Sequence, residues 1–537
     1  MTGGTRAMIL GLIVATSLLG ATAFAQDWPQ WRGPHRTGAV AGGVKLIEST
    51  PETGLPVLWE SEPIADTGHP GGQGSDVGYS SVVAAGGRVY LYLNQRVQDE
   101  SPLRLKWGVL NRLGCFDSPL PADLAQKVEA ARNSPERTAL SGDAAPAWAV
   151  DWVARNLSHS EYVTHGAWVE ERLIRGAAAV DLAILEKVAA LKSTPYATRE
   201  DLETALGGAG LDKKRSSEMG KELTAHRMRA LDVLFCIDAE TGKTLWKKEW
   251  PGALFEYGTS STPCLAGDRI YVSGGKTIYC LGAKDGAEIW QAPCPAKEVS
   301  SSPIVADGLL LIQAGALCAL DAADGKLRWT RPEFKGIHAS PTIWRKDGKA
   351  YVVQNIGLVD LQTGGIVWFI GNAGDSSPVV AGDRLLIAQG GTLNCFPLSL
   401  EKPKELWKLN QWVQPSTPTV FGDHIYAIKS QSGPLFCADL ATGTIQWTSP
   451  DKENYGAGSF NTASCIVVDG KVIVDGGAAS KAGNDFFIVR ATPEKFELLV
   501  KDSVALGNFR SSTPTVADGR LFIRGKNALI CYDLRAK

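Results

Sequence analysis

Short runs of alternating hydrophobic and polar residues return in nearly the same order along most of the chain. Residues 377–407 show the unit. Ser377-Pro378-Val379-Val380 is a first apolar run, Arg384 to Ala388 a second, Leu393 to Phe396 a third and Glu405-Leu406-Trp407 a fourth. Short runs of this kind between turn signals predict β-strands. A Gly-Asp or Asp-Gly pair separates the first two runs and suits a tight hairpin, whose backbone needs φ > 0. Residues 301–329 carry the same block, and its relatives fill most of the chain from Ser80 to Tyr532. A period of about 40 residues with a strand-turn-strand pattern predicts a propeller, because one such unit cannot bury its faces alone.

The turn between the third and fourth runs is the most regular. It reads Asp238…Gly242…Trp246, Ala283…Gly286…Trp290, Asp321…Gly325…Trp329, Asp360…Gly364…Trp368 and Asp439…Gly443…Trp447. The Asp suits turn amides and the Gly a left-handed position. One large flat Trp per repeat, at a fixed offset from the turn, predicts packing between neighbouring blades. A degenerate repeat at 462–498 has Phe496-Glu497-Leu498 where the others have their Trp strand. The last repeat, 511–534, stops after its third strand. Pro56-Val57-Leu58-Trp59 reads as an outer strand without a blade, and pairing it there would close the ring. The first blade opens at Tyr79, breaks off near residue 94 and resumes at Asp232. The expected fold is all-β: an eight-bladed β-propeller whose N-terminal strand closes the last blade, with an α-helical insertion in blade 1. The expected boundaries are a signal peptide at 1–25, a leader at 26–55, the closing strand and first half of blade 1 at 56–94, the insertion at 95–230, and the remaining propeller at 231–537.

Within the insertion the apolar period shifts toward 3.6. Val180, Ile184, Val188 and Leu191 share one helical face, Trp148 and Trp152 are one turn apart, and Thr198-Arg-Glu-Asp201 resembles a capping box. Four to six helices are expected. Because the insertion joins the second and third strands of a blade, it should emerge on the face that carries the blade-to-blade loops. A lid, a partner platform or a plain solvated insertion all fit that position.

At the N-terminus, Arg6, the apolar run from Met8 to Leu19 and Ala23-Phe24-Ala25 read as a cleavable export signal, with the mature chain starting at Gln26. The run is too short to span about 30 Å of hydrocarbon, so no transmembrane anchor is expected in the mature chain. The expected location is the periplasm or the exterior. The net charge of −2, without basic runs, argues against a nucleic-acid partner. Ten cysteines in an exported chain invite disulfides. However, Cys236, Cys280, Cys318, Cys395, Cys437 and Cys531 fall in one slot of successive repeats. Equivalent points in neighbouring blades lie roughly 10 Å apart, too far for a disulfide, so these residues read as small core groups.

The loops before the innermost strands converge at the axial mouth of a propeller. They contribute Tyr79, Ser260, Ser300, His338, Asp375, Gln414, Asn461 and Arg510. Asp375 and His338 are the catalytic candidates, Asp375 as a general base and His338 as a group that shares a proton near neutral pH. Tyr79, Glu256, Tyr257, Gln414, Asn461 and Arg510 are the ligand-binding candidates, and Arg510 suits an anionic group such as a carboxylate. The same residues also suit the polar rim of a solvated channel. No two of the seven His have zinc-enzyme spacing, so no metal site of that kind is expected.

The Asp-x-x-x-Gly-x-x-x-Trp turns resemble those of the pyrroloquinoline-quinone (PQQ) repeat family, as in Leu317-Cys318-Ala319-Leu320-Asp321 leading into Gly325-Lys326 and Trp329. The leader Trp28-Pro29-Gln30-Trp31-Arg32-Gly33-Pro34 is similar to the mature start of exported bacterial PQQ-like propellers. Two branches of that family bear on function. The quinoprotein dehydrogenase branch implies PQQ and Ca²⁺ over the axis with an Asp base, but no adjacent Cys pair and no matching Glu-Asn-Asp ligand set is found here. The BamB-like branch implies a scaffold without cofactor, usually lipid-anchored through a Cys that this chain lacks near its cleavage site. Two functions are therefore expected. One is a binding or scaffold module in the cell envelope, with an envelope protein or a small molecule as partner. The other is a PQQ-dependent oxidoreductase acting on alcohols or sugars at the mouth.

Overall fold

The computed structural model describes residues 27–64, 79–100, 103–115, 120–221, 226–254, 260–296, 298–411, 413, 416–429, 433–450, 464–475, 484–504, 512–525 and 527–537. The proposed export signal lies outside these residues. Contacts divide the chain into two units, residues 1–96 with 229–537 and residues 97–228.

In the first unit the described strands form eight sheets, seven of four strands and one of five. They are numbered here one to eight by the chain order of their innermost strands. The third is representative: Ile304–Ala306, Leu309–Gln313, Leu317–Asp321 and Leu327–Arg331 pair antiparallel in sequence. Asp307 (φ 45°) and Gly308 (φ 81°) make the first turn, the doubly positive pair that a tight hairpin demands. The second strand is wholly buried, whereas the outer strand buries Trp329 and exposes Leu327 and Arg328. The core lies between sheets. Tyr271, Ile278, Cys280 and Trp290 of sheet two pack on Leu310, Ile312 and Leu320 of sheet three.

The outer tryptophans clasp each sheet to the next. Their indole N–H groups donate across the gap: Trp246 to Lys284 O (3.1 Å), Trp290 to Ala322 O (3.1 Å), Trp329 to Leu361 O (2.9 Å) and Trp368 to Ser399 O (2.8 Å). Trp407 reaches Leu440 O (3.1 Å) and Trp447 reaches Thr492 O (2.7 Å). The turn glycine of the next sheet lies under the ring. A Cβ on Gly364 (φ 67°) would stand 2.6 Å from Trp329, so Gly is required there by contact and by conformation.

Within the ladders, Cys236, Cys280, Cys395, Cys437 and Cys531 stand directly opposite Trp246, Trp290, Trp407, Trp447 and Trp59. Cys318 corrects the sequence reading of a common slot: it faces Thr330, and Ala319 takes the position opposite Trp329. One residue of offset puts it on the other face of the sheet. All ten cysteines are free thiols, and nine are buried.

The N-terminal strand Val57–Glu60 pairs antiparallel with Leu529–Asp533 and supplies the fourth strand of sheet eight. Trp59 then donates to Ala239 O of sheet one (3.0 Å). Residues 45–55 of the leader bind sheets seven and eight together. Lys45 Nζ and the Leu46 amide donate to Asp469 (both 2.9 Å), the Ile47 amide to Leu534 O (2.9 Å) and the Leu55 amide to Asp502 (2.6 Å). Sheet seven lacks the clasping Trp, and here the structure corrects the sequence reading: its outer strand is Leu498–Val504, Val500 stands opposite Ile488 in the Trp position, and Phe496 packs on Trp447 of sheet six.

The second unit holds eight α-helices and two 3₁₀ turns among its described residues, more than the four to six expected. Several are a turn or two long, shorter than a window in which a 3.6 period is visible. Val180 and Val188 are buried with Leu185, Leu202 and Leu206, and Ile184 and Leu191 pack beside them. Thr198 and Asp201 form a full capping box, as do Ser158 and Glu161. Arg132 and Arg172, both buried, share the Glu129 carboxylate. Among the described residues, no helix is long and apolar enough to cross a membrane.

Candidate functional site

Each innermost strand of the first unit is preceded by a hydroxyl-bearing run, such as Ser301-Ser302-Pro303 or Ser416-Thr417-Pro418. In six of the eight runs the second hydroxyl accepts from the equivalent backbone amide one sheet back. Ser81 N–H donates to Thr262 Oγ1 (2.9 Å), Thr262 to Ser302 Oγ (3.0 Å), Ser302 to Ser340 Oγ (2.9 Å) and Ser340 to Ser377 Oγ (2.8 Å). Thr417 donates to Ser464 Oγ (2.9 Å), and Thr513 donates back to Ser81 Oγ (2.9 Å). The prolines that follow have no N–H to leave unpaired, but their carbonyls remain available.

The loops just before these runs carry the mouth candidates. Ser260 donates to Ser300 through its amide (3.0 Å) and its hydroxyl (2.9 Å), and the Ser300 amide donates to Ile337 O (3.1 Å). The loops bearing Ser260, Ser300 and His338 therefore lie side by side. His338 and Asp375 are exposed and Tyr79 is half-buried. No hydrogen bond among the described residues joins His338 to Asp375. Glu256, Tyr257, Gln414, Asn461 and Arg510 lie outside the described residues.

Two mouth residues escaped sequence reasoning. Asn355 adopts φ 50° and donates to Lys335 O (3.2 Å) and Asn372 Oδ1 (2.8 Å), and Asn372 Oδ1 also accepts from the Lys335 amide (2.8 Å). Asn355 carried one signal, an Asn in a tight turn after a buried strand, whereas Asn372 follows a half-exposed outer strand and carried none.

The leader supplies what the sequence did not suggest. Trp28 pairs with Ala84 of sheet one. The carbonyls of Pro29, Thr37 and Gly38 accept from the amides of Leu265 (2.8 Å), Val420 (3.3 Å) and Val467 (2.8 Å) in sheets two, six and seven. Ala39–Val40 adds a parallel fifth strand to sheet seven. A single segment that touches so many innermost strands lies across the space those strands enclose. Two arginines extend from it. Arg36 donates to Ser302 O (3.1 Å), Pro341 O (2.7 Å), Gln30 Oε1 (3.1 Å) and the carbonyl of Pro303. Arg32 donates to Thr417 O (3.0 Å), Thr37 O (3.0 Å), Pro418 O (2.5 Å) and Thr419 Oγ1 (3.0 Å). Burial pulls both guanidinium pKa values down to about 10, so both stay charged at neutral pH.

A second buried polar cluster joins sheets one and two. The Asp232 carboxylate accepts from Tyr92 OH (2.8 Å) and Asn94 Nδ2 (2.8 Å). Burial pushes its pKa up to about 6, against the opposing effect of the bonds from Asn94 and Tyr92.

The PQQ and Ca²⁺ that the dehydrogenase branch would bring need a cradle of carboxylates and amides at the mouth. Of the mouth residues named above, those described offer one exposed carboxylate, Asp375, beside hydroxyls, a histidine and the amides of Asn355 and Asn372, which bond each other and the Lys335 backbone. Among the described residues no group of three His, Cys, Asp or Glu side chains is gathered to hold a metal ion. This set does not fit the calcium of that branch.

Repeated antiparallel sheets clasped by tryptophans and linked by hydroxyls at their innermost strands define a β-propeller of the PQQ-like repeat type. Residues 232–449 and 352–537 match the family model described as outer membrane protein assembly factor BamB, and the chain belongs to that family. It is 30% identical over 227 residues to the outer membrane protein assembly factor BamB of Moranella endobia (strain PCIT), covering 40% of this chain and 51% of that protein. It is 27% identical over 229 residues to BamB of Yersinia pestis, covering 39% and 50%. The chain thus spans about half the length of the curated relatives it matches. Among solved structures, BamB from Moraxella catarrhalis aligns over 56% of this chain and 91% of its own, with 14% identity and a TM-score of 0.43.

Proposed function

We propose that this chain is an exported scaffold of the cell envelope, an eight-bladed propeller that holds an envelope protein at its mouth face. The family match across 232–537 carries this reading, since the relatives are named as outer membrane protein assembly factors. The mouth supports it too, because His338 and Asp375 are exposed and not joined to each other, as suits a surface that binds rather than one that transfers a proton. The proposed partner is a component of outer-membrane protein assembly. Export follows from the N-terminal signal read in the sequence.

Photo-crosslinking side chains placed at His338 and Asp375 in living cells test the proposal. Capture of an outer-membrane assembly protein is the expected outcome. The competing reading, a quinoprotein oxidoreductase, is tested by titrating the mature protein with PQQ and Ca²⁺ and following dye reduction with alcohols and sugars. Saturable quinone binding with turnover that Asp375→Ala abolishes would overturn the scaffold reading.

A further inference from the structure

The axial channel holds two buried cations with no carboxylate bonded to either among the described residues. Arg32 is 1% exposed and Arg36 is 3% exposed. Every acceptor around them among the described residues is neutral: the carbonyls of Thr37, Ser302, Pro303, Pro341, Thr417 and Pro418, the Thr419 hydroxyl and the Gln30 amide. The buried thiols beside them do not supply the missing charge. Burial raises the pKa of Cys465 near Arg32 and of Cys264 near Arg36, which keeps both protonated at neutral pH. Carbonyl dipoles soften two buried guanidinium charges but do not cancel them, and removing charges from water is costly unless they are paired.

The donors of Arg32 are also incompletely used. Its Nη1 and Nη2 are engaged, whereas Nε is buried and meets no acceptor. A water molecule would satisfy that N–H but leave the charge unanswered. A small anion answers both. The space is small, because Nε itself is buried and the Nη2 side of the same guanidinium is already closed by Gly38, where a Cβ has no room. This favours a spherical halide over a bulkier oxyanion.

We propose that the axial channel binds a halide-sized inorganic anion against Arg32 Nε, completing the charge balance of the Arg32–Arg36 pair.

Crystals of the unmodified protein grown or soaked with bromide in place of chloride provide the test. The expected result is an anomalous peak within about 3.5 Å of Arg32 Nε. Ordered water at that point, or bromide confined to the outer surface, overturns the proposal. Thermal unfolding at constant ionic strength adds a solution readout. Replacing chloride by gluconate, too large for the site, should lower Tm, and chloride should restore it saturably. Arg32→Lys keeps a charge but removes Nε and should flatten this chloride response. If that variant does not fold, the bromide map alone decides.

Discussion

The Asp-x-x-x-Gly-x-x-x-Trp signature has a concrete role at the residue scale. The Trp of one sheet covers the Gly of the next and donates to a nearby carbonyl, while a Cys or Ala stands opposite it in most ladders and Leu358 stands opposite Trp368. Gly364→Ala should cost at least about 2 kcal/mol, since it adds left-handed strain and pushes a methyl into Trp329. Urea unfolding measures this, and Trp329→Phe should lose roughly 1 kcal/mol for the bond to Leu361. Asp232 makes a pH prediction. Its folded pKa, about 6, lies above the ordinary value of 3.8, so the native state holds a proton that the unfolded chain has released between those values. Stability from this group is therefore complete below about pH 4 and falls as pH rises toward and past 6, by up to about 3 kcal/mol. Asp232→Asn keeps the shape without the titration. It should match the unmodified protein at pH 4 and be more stable at pH 8 in denaturant melts.

At the scale of elements, the leader compensates for what the repeats lack. Sheet seven has Val500 in place of a clasping Trp, and residues 45–55 tie it to sheet eight through Asp469, Leu534 and Asp502. Asp469 also holds the buried Lys471 ammonium (2.7 Å). Asp469→Asn retains a side chain tolerant of the φ of 50° at this position but removes the charge. It should cost about 1–3 kcal/mol and speed hydrogen exchange at the amides of Leu46 and Ile47 before the rest of the sheet. The closing strand Val57–Glu60 was legible because Val-Leu-Trp repeats the outer-strand pattern. The leader before it was not, because Trp28 to Arg36 has no period and its partners lie hundreds of residues away. Buried arginines bound to carbonyls leave no carboxylate partner in the sequence to look for.

At the scale of the whole chain, residues 97–228 form their own contacts and their own apolar clusters. Their removal leaves the second and third strands of sheet one to be rejoined by a turn, as in every other sheet. A chain lacking 97–228 should fold with the β-sheet circular dichroism of the remainder and keep a cooperative transition. Loss of that transition would show that the helical unit is needed for the sheets to close.

Sequence alone determined the repeat, its strands, the turn chemistry and the closing strand, because each rests on local periodicity and on residues a few positions apart. It also singled out the tryptophans and most of the small residues opposite them. It misplaced Cys318 by one step: Cys318 lies three residues before its turn Asp321, where Cys236 and Cys437 lie two before theirs, and one residue along a strand changes the face. Tertiary structure alone decided that the inner hydroxyls link sheet to sheet. It also revealed that the N-terminal segment crosses the channel and buries two charges there. Those features arise between groups far apart in the chain, and no local pattern encodes a contact whose two halves are read hundreds of residues apart.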